Sequence, residues 1–401
     1  MHTKIFLVVA AGAGALLAAC QGNRFLVGEN DGGAAGASGA GQLGIAGAIA
    51  PTSPLKISPE EALTRVAGIL YQDGMLDGAA LAAAQGGQLK TNQDLVPVIA
   101  TMLGDPRAVS GVRAFYRWWL ELDGIAKAVK DPTLFPAFTP ELQADIAAEP
   151  EIFGANVTLQ KQGTYDDLLT ARYSYLTARL AALYDLTGPT GTDFVETPLM
   201  PTRRAGLLTQ PALQVLTSLP TRNSPSARGR FILDRFLCNP TPDPPPGVHT
   251  DDGSLDARPP GVTLRAALQE ETLPTPTCEA CHLVIDPYGL AFEDFDAIGR
   301  FRTTDNGALV DTSRLSIVDL LSEFPITVDS PVELADTFVK SDPGRQCFAR
   351  QWLAFATAHT AGTVSDDDVA PVFAAWSASG FDLRTLIVAT LASDAFLRVY
   401  Q

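Results

Sequence analysis

Cys278-Glu279-Ala280-Cys281-His282 is the run in this chain whose residue types and spacing amount to chemistry. Two thiols separated by two residues and followed at once by an imidazole form the C-x-x-C-H pattern. At this spacing cysteines add to the vinyl groups of a haem while the histidine binds its iron. Thioether bonds make haem c a permanent cofactor, so the pattern implies an electron carrier or an electron-using catalyst. Electron transfer is the simpler expectation; a peroxidase-like or other oxidoreductase activity would need an open position on the iron. The rest of the chain has to supply an oxidising compartment in which haem is attached, and elements that place the motif.

The N-terminus speaks to the compartment. Met1-His2-Thr3-Lys4, the apolar run from Ile5 to Ala19 and Leu17-Ala18-Ala19-Cys20 make a charged start, a stretch too short for an ordinary membrane span and a small-residue cleavage site. Leu-Ala-Ala-Cys resembles the lipobox of bacterial lipoproteins, in which the cysteine, here Cys20, is acylated. The expected place is the cell envelope, where the protein is held to a membrane by lipid. Gln21 after the cysteine resembles sorting to the outer membrane, facing the periplasm or the cell surface. A formal charge of −16 over 401 residues argues against nucleic acid, whose phosphates demand a basic surface, and suits either a basic redox partner protein or solubility alone. Of the five cysteines, Cys238 and Cys347 are left unassigned, as a disulfide in an oxidising compartment or as two buried thiols.

The elements that must position the motif are mainly helical. Ser58-Pro59-Glu60-Glu61 offers a cap, a proline at the first helical position and a capping-box carboxylate, followed by Leu63, Val66 and Leu70 at helical spacing. Thr139-Pro140-Glu141, Ser224-Pro225 and Ser330-Pro331-Val332-Glu333 repeat the signal. Phe115, Tyr116, Trp118 and Trp119 read as core aromatics on a helix between Ser110 and Leu122. A further helix is expected from Ser174 through Tyr184. Pro240, Pro242, Pro244, Pro245 and Pro246 exclude helix and sheet from Asn239 to Val248 and predict an extended strap. The one good strand signal follows the motif, where Phe301 to Thr304 and Ala308 to Val310 flank Asp305-Asn306-Gly307 as a hairpin. Helix returns over Ser330 to Lys340, Gln346 to Thr357 and Leu383 to Ala392.

From Ser224-Pro225-Ser226-Ala227-Arg228-Gly229-Arg230, through Leu237-Cys238, to Cys278-x-x-Cys281-His282-x-x-Ile285-Asp286-Pro287-Tyr288-Gly289 and Gly299-Arg300-Phe301-Arg302, the chain resembles a known module. It is the cytochrome-c-like module of a bacterial family of uncharacterised, exported, multi-domain proteins. Met102-Leu103-Gly104-Asp105-Pro106-Arg107 and Leu168-Leu169-Thr170-Ala171 are similar to that family's preceding helical domain. Cys347-Phe348-Ala349-Arg350-Gln351 and Leu383 to Phe396 are similar to its C-terminal one. The resemblance implies a fold and a haem-type module but no substrate. The expected organisation is a signal peptide with lipobox over 1–20 and a Gly/Ala/Ser tether over 21–54. A mainly α body follows: an N-terminal helical domain over 55–187, a cytochrome-c-like helical module with a small β-hairpin over 188–323, and a C-terminal helical domain over 324–401.

Within that module His282 suits a proximal iron ligand. The chain has no methionine after Met200, so the sixth ligand falls to Met200, His249 or His359, or the position is empty. Phe292 and Phe295 are candidates to wall the porphyrin or to pack in the core. Arg300 and Arg302 are candidates to pair with propionates, or to line a solvated face or bridge to Asp296. Asp286-Pro287-Tyr288-Gly289 reads as a turn that redirects the chain after His282. Glu293 and Asp296 read as structural. The alternative to a cytochrome is a non-haem structural or surface interaction lipoprotein. Its C-x-x-C would be a disulfide, or a zinc site made by Cys278, Cys281, His249 and His359. A thiol oxidoreductase would want a βαβ context that the pattern lacks.

Overall fold

The computed structural model describes residues 52–243, 254–317 and 326–398. Cys20, nearly all of the tether, His249 and the second half of the proline strap lie outside the described residues. The described chain is mainly α-helical with small two-stranded antiparallel sheets. None of its helices is long and apolar enough to cross a membrane. Its residues gather into two compact units, one over 112–351 and one made of 52–111 with 352–398.

In the second of these units the caps read from sequence form. The Ser58 hydroxyl accepts from the Glu61 amide at 3.1 Å and Pro59 starts the helix Pro59–Leu70, which buries Leu63, Val66 and Leu70 completely. A reciprocal Thr91/Asp94 capping box opens Asn92–Leu103. That helix packs on Pro59–Leu70 and on Leu383–Leu391, and Leu383–Leu391 packs in turn on Asp366–Ala378, a helix the sequence pattern did not announce. His359 belongs to this unit. It is exposed, with Nδ1 2.7 Å from the Thr357 carbonyl.

The 112–351 unit holds the motif. Three of the four expected core aromatics, Phe115, Tyr116 and Trp119, are fully buried on the helix Ala108–Trp119, whereas Trp118 is half-buried and lines a surface cleft. Trp119 packs on Phe236 and Phe348 with ring centroids 4.8 and 4.9 Å away, and its indole N–H donates to the Arg235 carbonyl at 2.8 Å. That bond anchors the end of the helix Pro225–Leu237. The helix stops at Cys238, whose backbone is left-handed (φ 48°) and whose thiol is joined to Cys347.

Two strand pairs were not legible. The helix expected from Ser174 begins only at Ala178, with Thr177 as its cap. Tyr173–Leu176 is instead a strand, paired antiparallel with Val195–Pro198. Ser174 and Leu176 alternate inward, and the Ser174 hydroxyl donates to buried Glu149 at 2.6 Å, a demand that local helical spacing does not contain. Leu315–Ile317 pairs with Ile326–Val328. The expected hairpin does form, with Thr304–Asp305 against Ala308–Leu309 and the turn at Asn306-Gly307, both left-handed (φ 51° and 86°) as a two-residue hairpin turn requires.

Glu149 carries a pH prediction. It is wholly buried, accepts from Ser174 and from the Tyr184 hydroxyl at 2.6 Å each, and its Oε2 has no hydrogen-bond partner among the described residues. Burial pushes its carboxyl up to about 7, against the pull of those two hydrogen bonds and of Arg204. A native pKa above the unfolded one means that the folded chain keeps a proton which the unfolded chain releases first. The associated stability is therefore complete below the unfolded value near 4.5 and lost as pH rises through about 7. Glu149→Gln removes this titration. The variant should gain on the wild type by about 2–3 kcal/mol in denaturant unfolding between about pH 5 and 8, and identical pH slopes would refute the assignment.

Candidate functional site

The motif lies on the helix Pro276–Leu290, the motif helix, with Pro276 in the first turn where its missing N–H costs little. Burial changes along it. Cys278, Cys281 and His282 are half-buried and Leu283 is exposed, whereas Ile285, Asp286, Tyr288, Gly289 and Leu290 are buried. Cys278 stands three residues before Cys281 and four before His282, so the three side chains share one helix face. Neither cysteine is in a disulfide, in contrast to Cys238 and Cys347.

The buried half is fixed by the antiparallel crossing of Pro225–Leu237. Gly229 lies against the Ile285 carbonyl and Gly289 against the Pro225 carbonyl, so close that a Cβ on either glycine would overlap the opposing backbone. This approach brings Ser226 to the motif. Its hydroxyl donates to Asp286 Oδ1 at 2.7 Å, while Asp286 Oδ2 stands 2.9 Å from His282 Nδ1. Asp286 is 5 % exposed, and no lysine or arginine among the described residues forms an ion pair with it. With its proton on Nδ1, the imidazole donates to the carboxylate. Nε2, to which no described residue bonds, is then the nitrogen with a lone pair to offer.

The turn expected after His282 does not form. Asp286-Pro287-Tyr288-Gly289 is no turn but the last part of the motif helix. Pro287 is accommodated because the hydrogen bond it forgoes would run to the carbonyl of Leu283, a residue 51 % exposed. The helical course is what sets Asp286 one turn beyond His282. The i, i+4 spacing that signals the pair is present in the sequence, and only the turn reading conceals it.

The other candidates are held by partners of their own. Phe292 and Phe295 are fully buried; the Phe295 ring lies under the Arg204 guanidinium, 4.4 Å away, and meets the edge of Phe301. Arg302 is committed within its own loop. It donates to the Glu293 carboxylate at 2.9 Å, to the Glu293 carbonyl at 2.8 Å and to Asp305 at 2.9 Å. Arg300 is exposed, and its amide closes a turn on the Asp296 carboxylate. Glu293 is buried and also accepts from Asn223 at 3.0 Å and from Arg228 at 3.4 Å, which binds the loop after the motif helix to the crossing helix. Burial pulls the Arg228 guanidinium down to about 10 against the charge of Glu293, and pushes Asp294 up to about 7. Met200 is half-buried in a turn whose carbonyl accepts the Arg203 and Arg204 amides. A cleft of about 720 Å³ lined by Arg117, Trp118, Lys130 and Ser218 contains none of the motif residues. The Lys130 ammonium there donates to the Val215, Ser218 and Leu219 carbonyls and to the Ser218 hydroxyl, which makes it a structural group.

What the site can hold follows from its donors. Among the described residues no three His, Cys, Asp or Glu side chains converge as a bare metal ion would require. Two thiols and an imidazole on one half-exposed helix face, with that imidazole oriented by a carboxylate, fit a haem attached from outside. Cys278 and Cys281 would hold it and His282 would bind its iron. The chemistry such a group supplies is one-electron transfer at iron.

Three family models match the chain, all described as proteins of unknown function: DUF1592 over residues 63–186, DUF1588 over 204–305 and DUF1585 over 326–396. The second, which contains the motif, bears the cytochrome-type name PSCyt3. No curated protein and no solved structure matches the chain.

Proposed function

Because this chain belongs to the uncharacterised multi-domain family defined by these three domains, we propose that it is an exported c-type cytochrome-like protein. It would carry haem on Cys278 and Cys281 and transfer single electrons at the cell envelope. The observation that carries this reading is the motif helix itself. It sets both thiols and His282 on one accessible face and leaves Nε2 as the nitrogen open to iron. The disulfide between Cys238 and Cys347 supports export, since such bonds persist in oxidising compartments. A lipid on Cys20 would hold the protein at a membrane, and the charge of −16 would favour a basic electron partner.

The test is covalent attachment. Protein matured in a periplasm with haem-attachment machinery should gain the mass of one haem and keep its colour through acid-acetone extraction. Cys278→Ala with Cys281→Ala should abolish both. A colourless wild type, made beside a control cytochrome that matures normally, would end the proposal.

A further inference from the structure

We infer that Asp286 is a positioning residue that sets the electron affinity of the site, and that Ser226 moderates it from the crossing helix. This deepens the haem reading proposed above and rests on it. The Asp286 carboxylate, 5 % exposed, holds His282 Nδ1 at 2.9 Å with one oxygen and the Ser226 hydroxyl at 2.7 Å with the other. No described lysine or arginine forms an ion pair with it, so its negative charge is directed at the imidazole with little screening. An axial histidine whose second nitrogen donates to a carboxylate is a stronger electron donor than one that donates to a neutral carbonyl, and it favours the more positive, oxidised iron. The Ser226 O–H draws on the same carboxylate and weakens that push. The two residues come from helices whose register is locked at Gly229 and Gly289, so the pair has little freedom to relax.

The experiment is spectroelectrochemical titration of the matured full-length protein and three variants. Asp286→Asn keeps a hydrogen-bond acceptor and removes the charge. It should shift the reduction equilibrium about tenfold toward the reduced form, about 59 mV for one electron. Ser226→Ala should move the potential in the opposite direction by a smaller amount. Asp286→Glu, which restores the charge, should return most of the shift. A merely structural role would lower the melting temperature of all three without this alternation of sign. Haem-loaded Asp286→Asn with the wild-type potential would overturn the inference and leave the cytochrome reading standing. A wild type that takes up no haem would overturn both, and the two failures are told apart by colour alone.

Discussion

Gly229→Ala is expected to cost about 3 kcal/mol of stability, and Gly289→Ala a similar amount. The added Cβ in each case meets opposing backbone, the Ile285 carbonyl from Gly229 and the Pro225 carbonyl from Gly289. Backbone cannot rotate out of the way as a side chain can, so the helices must part and Ile232, Ile285 and Leu290 lose their packing. Both substitutions open the same crossing. The double variant should therefore cost clearly less than the sum of the two singles. Gly68→Ala is the control: it lies within the helix Pro59–Leu70, an added Cβ there meets nothing within 4 Å, and helix propensity predicts a gain of up to about 1 kcal/mol. Urea unfolding of the four variants beside the wild type decides the matter, and a crossing variant as stable as the wild type would show that the close approach is not required. A parted crossing also withdraws Ser226 from Asp286, so a folded, haem-loaded Gly229→Ala protein should show a potential shift of the same sign as Ser226→Ala.

Reduction of the bond between Cys238 and Cys347, or Cys238→Ser with Cys347→Ser, should lower stability by about 4–5 kcal/mol. The sulfurs close a loop with a sequence separation of 109 residues, and the loop-closure model makes the constraint on the unfolded chain large at that length. The loop contains the motif helix, the hairpin and the buried network of Glu293 and Arg302, so the bond acts on the segment that holds the site. Mapping of non-reduced peptides should recover the two cysteines linked, while Cys278 and Cys281 appear in no disulfide. Equal denaturation midpoints with and without reductant would remove the bond from the account of stability.

Local chemistry sufficed for most caps and for the hairpin turn, though not at Asp286-Pro287, whose turn signal gives way to helix. Ser58, Thr139 and Ser330 each cap a helix through the amide three residues on. Asn306-Gly307 makes its hairpin because both backbones can adopt a left-handed conformation. The C-x-x-C-H spacing is of this kind too, and so is the mainly helical character of the body. Tertiary structure decided what depends on groups far apart in the chain. Ser174 lies on a strand because a strand twenty residues on and a buried carboxylate claim it, which outweighs a helical spacing of leucines. Arg302 serves Glu293 and Asp305, a choice set by burial that an exposed-looking Arg-Phe-Arg run does not reveal. The His282–Asp286–Ser226 relay joins both kinds: its first link is a helical i, i+4 step written in the sequence, and its second spans 60 residues. That second link exists only because two glycines let two helix backbones touch, a close approach whose partner no single segment can specify.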